Sequence, residues 1–160
     1  MYGYVKVGSA VPKLRVADCV YNKEEILKLV EAAAAKQVRV LSFPELSVTG
    51  YTCADLFFQT PLLHAAEQAI QEIAEATEAL NIFLLIGAPI AVDNQMFNCA
   101  VALYKGKLLG IVPKTHIPNY SEFYEERWFA SADDLLTEEI TYAGQNVPIG
   151  ADLIFAAADF

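Results

Sequence analysis

The stretch Val38-Arg39-Val40-Leu41-Ser42-Phe43-Pro44-Glu45 decides the fold class of this chain. Its largely apolar run up to Phe43 is of the kind buried on both faces of a sheet in α/β proteins, and Pro44, which has no amide hydrogen to give to a ladder, ends it. On its N-terminal side Ile26, Leu27, Val30, Ala33 and Ala34 follow at helical spacing as far as Lys36, which predicts an amphipathic helix with Asn22 as its N-cap. Earlier still, Tyr4-Val5-Lys6-Val7-Gly8-Ser9-Ala10 alternates β-branched and smaller residues and predicts an opening strand, with Pro12 as its stop. On the C-terminal side Leu63, Ala66, Ile70, Ile73, Thr77 and Leu80 keep a helical period from Pro61 to Leu80, with proline at the one helical position that tolerates it. Ile82 to Ala88 predicts the next buried strand, and Met96–Tyr104 with Lys107–Val112 a hairpin around Lys105-Gly106. Asp152 to Phe155 predicts one more buried strand. This order is that of an α/β domain whose mixed sheet carries helices on one face and needs cover on the other.

One domain suffices for 160 residues. Hydrophobic residues make up 55% of the chain and its mean hydropathy is +0.32, more than the core of a small domain requires, so something beyond the chain is expected to cover the surplus. The densest apolar stretches, Ile82–Ile90 and Ala151–Ala158, fall far short of the roughly 20 residues that cross a bilayer, and no membrane partner is expected. Met1–Pro12 lacks the apolar run and cleavage site of a secretory signal, which predicts a cytoplasmic protein. Twenty acidic residues against eleven basic ones give a net charge of -9. That balance argues against nucleic acid as a partner and favours a small molecule or a protein. Cys19, Cys53 and Cys99 are odd in number and widely spaced, so reduced thiols are expected, with neither a disulfide framework nor a zinc site.

Glu45 follows a strand that is expected to be buried, and α/β sheets place their ligands beyond such strand ends. Position alone leaves two readings open: a solvated carboxylate at a loop entrance, or a general base. Lys114 follows Pro113, which fixes one backbone angle just after the hairpin. It is either a solvated loop lysine or an ammonium aimed at a developing oxyanion. Pro113–Ala130 is long, aromatic and without periodicity, and long segments of that kind in compact domains are usually functional or disordered; its aromatic content argues against disorder. Glu122, Glu125 and Glu126 lie on it, either as the acidic side of a loop or as part of a site. His64 and His116 lack ligand spacing and are read as structural, so no metal is expected.

Phe43-Pro44-Glu45-Leu46-Ser47-Val48-Thr49-Gly50-Tyr51 resembles the segment around the catalytic glutamate of the nitrilase superfamily of carbon-nitrogen hydrolases. Pro113-Lys114-Thr115-His116-Ile117-Pro118-Asn119-Tyr120 resembles its catalytic lysine region, in the same order and at similar spacing. The longer runs, Thr49-Gly50-Tyr51-Thr52-Cys53-Ala54-Asp55-Leu56 and Glu122-Phe123-Tyr124-Glu125-Glu126-Arg127-Trp128-Phe129, are similar to the glutamine-dependent NAD synthetases rather than to free-standing amidases.

The resemblance implies an α/β fold of the nitrilase-like α-β-β-α sandwich type, with residues 1–160 as the N-terminal part of a single glutaminase domain. By the same likeness Glu45 is the general base, Lys114 the oxyanion stabiliser and Glu122 the further carboxylate that holds the lysine and the substrate amide. Tyr51, Tyr120, Phe123 and Glu125 then line the glutamine pocket, with Glu125 facing the α-ammonium group. The family's nucleophile is a cysteine on a strand-end elbow beyond the Asp152–Phe155 strand, a position that none of the three cysteines here occupies, so these residues alone are expected to be inactive. No cofactor is implied for this domain; ATP and Mg are implied for a C-terminal synthetase domain of the same polypeptide, which uses the ammonia released from glutamine to make NAD from deamido-NAD. The family also implies a homo-oligomer. Two alternatives stay open, a free-standing nitrilase-like amidase and a non-catalytic binding module without a nucleophile.

Overall fold

The structure, a computed structural model, describes residues 3–157. Met1 and Tyr2 of the opening segment, and the chain end at Phe160, lie outside the described residues. Five strands form one sheet in the order β1 (Val7–Ser9), β2 (Val40–Ser42), β3 (Phe83–Val92), β4 (Gln95–Tyr104) and β5 (Lys107–Pro113). β1, β2 and β3 run parallel, whereas β3, β4 and β5 run antiparallel. Helix α1 (Cys19–Ala35) links β1 to β2, and α2 (Thr60–Ala76) links β2 to β3. Two right-handed crossovers that step in the same direction along a sheet put both helices on one face, and α1 and α2 do pack on each other.

That packing makes the core. Ile26 and Val30 of α1 and Ala66, Ile70 and Ile73 of α2 are buried together with Leu41, Leu84, Ile86, Val101, Leu103 and Ile111 from alternate positions of the strands. Each aliphatic side chain taken fully out of water contributes about 1.5–3 kcal/mol. The opposite face carries Phe83, Leu85, Ala100 and Val112, all only partly covered.

Three two-residue turns close the hairpins, each with left-handed backbone at both central residues, as the twist of adjacent strands requires. The expected turn at Lys105-Gly106 is present. Asp93-Asn94 forms another and carries β3 past its expected end at Ala88 to Val92. Ala143-Gly144 joins β6 (Glu139–Tyr142) to β7 (Gln145–Pro148), a small hairpin that strand propensity alone does not mark.

Four expectations are corrected. Asn22 does not cap α1; Asp18 does, its carboxylate accepting from the Tyr21 amide at 3.0 Å. Asn22 lies inside the helix, fully buried, where its amide donates to the carbonyls of Arg15 and Val48 and accepts from the Arg15 amide. α2 ends at Ala76 rather than Leu80, with Thr77 as its C-cap and the Thr77 hydroxyl turned back onto the Ile73 carbonyl at 2.8 Å. The first strand is shorter than Tyr4–Ala10, since the register with β2 covers Val7–Ser9. Asp152–Phe155 is not a strand. Ile149 bridges Ile111 at the outer edge of β5 and the Gly150 amide donates to the Ile111 carbonyl. The chain then leaves that edge and crosses the open face, where Leu153 and Phe155 lie against Gly110 and the Phe155 ring sits 5.6 Å from that of Phe83.

The turn that follows β2 is pressed onto β3. The Phe43 amide donates to the Leu85 carbonyl and the Val48 amide to the Gly87 carbonyl. Between these bonds the two backbones are so close that a Cβ on Gly87 would stand 2.3 Å from the Leu46 nitrogen and 2.6 Å from the Pro44 carbonyl oxygen. Gly87→Ala must therefore lift the Pro44–Leu46 turn. Overpacking of this kind costs about 1–3 kcal/mol, and urea denaturation is expected to register a loss in that range, whereas Gly144→Ala, with open space at the added Cβ, loses only what its left-handed backbone costs.

Candidate functional site

The turn clamped over Gly87 presents Glu45. Leu46, directly after it, has left-handed backbone at φ 51° and a side chain with no exposure. A non-glycine residue holds that conformation only where its surroundings over-determine it, and such places are concentrated at functional sites. Asn22 supports the same turn from α1 through the Val48 carbonyl. Lys114 arrives from the end of β5, its amide donating to the Asn98 carbonyl of β4 at 2.8 Å.

The two side chains meet. Lys114 Nζ donates to Glu45 Oε1 at 2.7 Å and to Glu125 Oε2 at 2.9 Å. Asn98 Nδ2 also donates to Glu45 Oε1. Glu125 retains 2% of its surface, and its other oxygen accepts from the Tyr51 hydroxyl at 2.5 Å. A carboxylate so far removed from water needs such partners, because the desolvation penalty is several kcal/mol per ion. Partial burial lowers the pKa of Lys114, but the hydrogen bonds and charges of Glu45 and Glu125 outweigh it and leave the ammonium above the ordinary lysine value. The Tyr51 hydroxyl is raised by desolvation and then by Glu125 beside it. Glu45, Asn98 and Lys114 stand with Phe43, Leu85, Gly87, Ala100 and Val112 around a cavity of about 270 Å³ on the open face of the sheet.

Glu125 lies on a 3-10 turn, Glu125–Arg127, in the long segment after β5. That segment is ordered by partners in the connection after β2. Arg127 forms a two-pronged ion pair with Asp55, both bonds at 2.8 Å, and the Trp128 indole donates to the same carboxylate at 3.0 Å. Hydrogen bonds from Arg127 and then Trp128 hold the Asp55 carboxyl well below the usual range. Phe57 packs edge-on against both Trp128 and Phe129. The two long motif runs are therefore each other's structural partners. Further along, Ala130 and Ala132 donate to the carbonyls of Met96 and Lys114, which ties the end of the segment back to the strands.

One expected position changes. Glu122 is exposed on the segment, and Glu125 takes the place against Lys114 that was expected of Glu122. Tyr51 stands within the cluster; Tyr120 and Phe123 lie edge-on to each other at 5.9 Å, with Tyr120 exposed. Asn98 belongs to none of the motifs above, although an amide residue, disfavoured in strands, is itself a signal in the apolar run Met96-Phe97-Asn98-Cys99-Ala100-Val101. All three cysteines are buried. Burial raises the thiol of Cys99, raises Cys19 to about 11 and raises Cys53, whose sulfur donates to the Thr49 and Gly50 carbonyls. Among the described residues no group of three acidic, histidine or cysteine side chains could hold a metal, and no helix is long and apolar enough to cross a membrane.

A mixed sheet with paired helices, and a lysine set between carboxylates at the strand ends, define a chain of the carbon-nitrogen hydrolase family, to which it belongs: the family matches residues 6–154. Among characterised proteins it is similar to the glutamine-dependent NAD(+) synthetase of Mycobacterium leprae, 36% identical over 157 residues that make up 98% of this chain and 23% of that one. The rat enzyme of the same name is 30% identical over 92% of this chain. The crystal structure of a glutamine-dependent NAD(+) synthetase from Cytophaga hutchinsonii superposes with a TM-score of 0.88 at 28% identity, over 97% of this chain and 26% of that one. An amidase from Nesterenkonia shares the fold, with a TM-score of 0.64 at 19% identity, over 86% of this chain and 52% of that one. The chain thus spans about a quarter of the length of the synthetases it matches.

Removing the ammonium leaves Glu125 buried without its cation, a loss that typically costs 3–5 kcal/mol. Lys114→Met is therefore expected to lower stability by about 3 kcal/mol at neutral pH in urea denaturation. Since the folded-state pKa of Lys114 is raised, its contribution is fully present below about pH 10.4, the unfolded lysine value, and is lost as pH rises through the folded value. The gap between wild type and Lys114→Met should therefore narrow as pH rises above that value.

Proposed function

We propose that these residues form part of a glutamine-hydrolysing site that supplies ammonia to an ATP-dependent synthetase domain of the same polypeptide, which makes NAD from deamido-NAD. The reading is supported most by one observation: the Lys114 ammonium lies between Glu45 and Glu125 at the edge of the cavity. A lysine has three donors, and two are committed to carboxylates. The third is free to meet an oxygen that becomes negative during the reaction, which is how a fixed ammonium lowers a barrier.

The chemistry follows from that arrangement. A thiol gives its proton to Glu45 and its sulfur attacks the amide carbon of the glutamine side chain, while the oxygen of the tetrahedral intermediate is held by Lys114. Collapse breaks the carbon-nitrogen bond, and the protonated Glu45 returns the proton to the leaving nitrogen as ammonia departs. Water, deprotonated by Glu45, then attacks the thioester, and its cleavage releases glutamate and the thiol. We assign the thiol to a part of the polypeptide outside these 160 residues, because Cys19, Cys53 and Cys99 are buried with raised pKa values. Both oxygens of Glu125 are engaged, so we assign it to holding Lys114, and leave Tyr51, Tyr120 and Phe123 as the aromatic walls for the substrate's aliphatic part.

The test uses the full-length polypeptide. Glu45→Gln is expected to reduce glutamine-dependent NAD formation by about 10²- to 10⁴-fold, the range for a lost general base, while NAD formation supplied with ammonia stays near the wild-type rate. Equal loss with both nitrogen sources, or none with glutamine, contradicts the reading. The 160 residues by themselves are expected to release no glutamate from glutamine.

A further inference from the structure

Resting on that reading of amide hydrolysis, the geometry points to Asn98 as the positioning residue for Glu45, with Oε2 of that carboxylate as the oxygen that takes the proton. Glu45 Oε1 accepts from both Lys114 Nζ and Asn98 Nδ2. Among the described residues Oε2 carries no hydrogen bond. A carboxylate oxygen with two donors on it has little basicity left to offer, so proton transfer falls to its neighbour.

Asn98 is suited to this in three ways. It is buried at 4% exposure on β4, opposite Pro89 of β3, so its amide is held by strand geometry rather than by a mobile loop. Its main-chain carbonyl accepts the Lys114 amide at 2.8 Å, so one residue sets the position of both the carboxylate and the lysine that meet in the site. Its amide group does not titrate, and it therefore donates to Glu45 whatever happens to the charges around it. Lys114 cannot do this alone: its ammonium is shared with Glu125 and has to serve the substrate oxygen as well. A buried amide in an otherwise apolar strand costs free energy unless bonded, and the structure shows Glu45 as the bond it makes.

Carboxylate protonation limits the rate on the acid side of a base-catalysed reaction, which gives a readout that a purely structural role would not move. Among the described residues the charged and titratable groups facing Glu45 are Lys114 from the end of β5, Glu125 from its 3-10 turn and Tyr51 from the connection after β2, and the buried thiol-bearing Cys99 of β4 also lines the cavity. None of these changes in Asn98→Ala or Asn98→Asp.

Glutamate release from glutamine is to be measured on the full-length polypeptide from about pH 5 to about pH 9, a span that brackets the working range of a carboxylate base. Asn98→Ala is expected to lower kcat about 10- to 100-fold with KM within about twofold, and to move the acid limb of kcat/KM upward by about half to one pH unit, because a donor to the ionised carboxylate is gone. Asn98→Asp, of nearly the same size, is expected to move that limb further the same way, since a second carboxylate then faces the first. The limb's position does not depend on how much of a variant is folded, so reduced yield does not obscure it. An acid limb unmoved in both variants overturns the assignment of Asn98. A wild-type polypeptide that releases no glutamate at any pH overturns the amide-hydrolysis reading instead, and this inference with it.

Discussion

An ammonium suspended between two carboxylates is the interaction around which the molecule is arranged. Glu125 is almost wholly withdrawn from water, and a buried carboxylate is tolerable only beside a cation and other donors. Lys114 is that cation, and its other bond goes to Glu45. The three groups come from three places in the chain: the turn after β2, the end of β5 and a 3-10 turn in the segment that follows. Holding the cluster therefore requires each of those segments to be fixed independently. The Gly87 contact fixes the first, the Asn98 carbonyl the second, and the Asp55, Arg127 and Trp128 bonds the third.

The arrangement also explains why the site sits where it does. Crossovers that step in one direction along three parallel strands place both helices on one face, where α1 and α2 pack together. This leaves the strand ends and the opposite face free for the cavity. Leu85, Ala100 and Val112 give that cavity an apolar floor, and strong polarity stands at its rim in Glu45, Asn98 and Lys114. Charges at the edge of an apolar surface act through a lower effective dielectric than in bulk water, which strengthens their fields within the cavity.

Much of the scaffold was legible in the residues. Apolar runs bounded by Pro44 and Pro61, and the Lys105-Gly106 turn, announced the alternation of strands and helices, because local steric rules act there without long-range help. The sites of failure share a cause. Asn22 has the composition of a cap, yet it is drawn inside α1 by the carbonyls of Arg15 and Val48, the second of which is distant in sequence. Asp152–Phe155 has the composition of a buried strand, but the edge of β5 that it would need is already taken by Ile149 and Gly150. Likewise, nothing in the spacing of Glu122 and Glu125 tells which of them turns inward, since the segment that carries them lacks a helical or strand period. That choice is made by Lys114, 11 positions back in the chain, and by Tyr51, 74 positions away. The meeting of Glu45 and Lys114 was legible only through likeness to a family.

A double-mutant cycle on Glu45 and Lys114 tests the central claim most directly, with glutamine hydrolysis by the full-length polypeptide as the readout. If the two side chains act as one unit, Glu45→Gln combined with Lys114→Met loses little more activity than the worse of the single variants, as residues in direct contact do. Losses that multiply in full would mean that the carboxylate and the ammonium work apart, and would contradict the account.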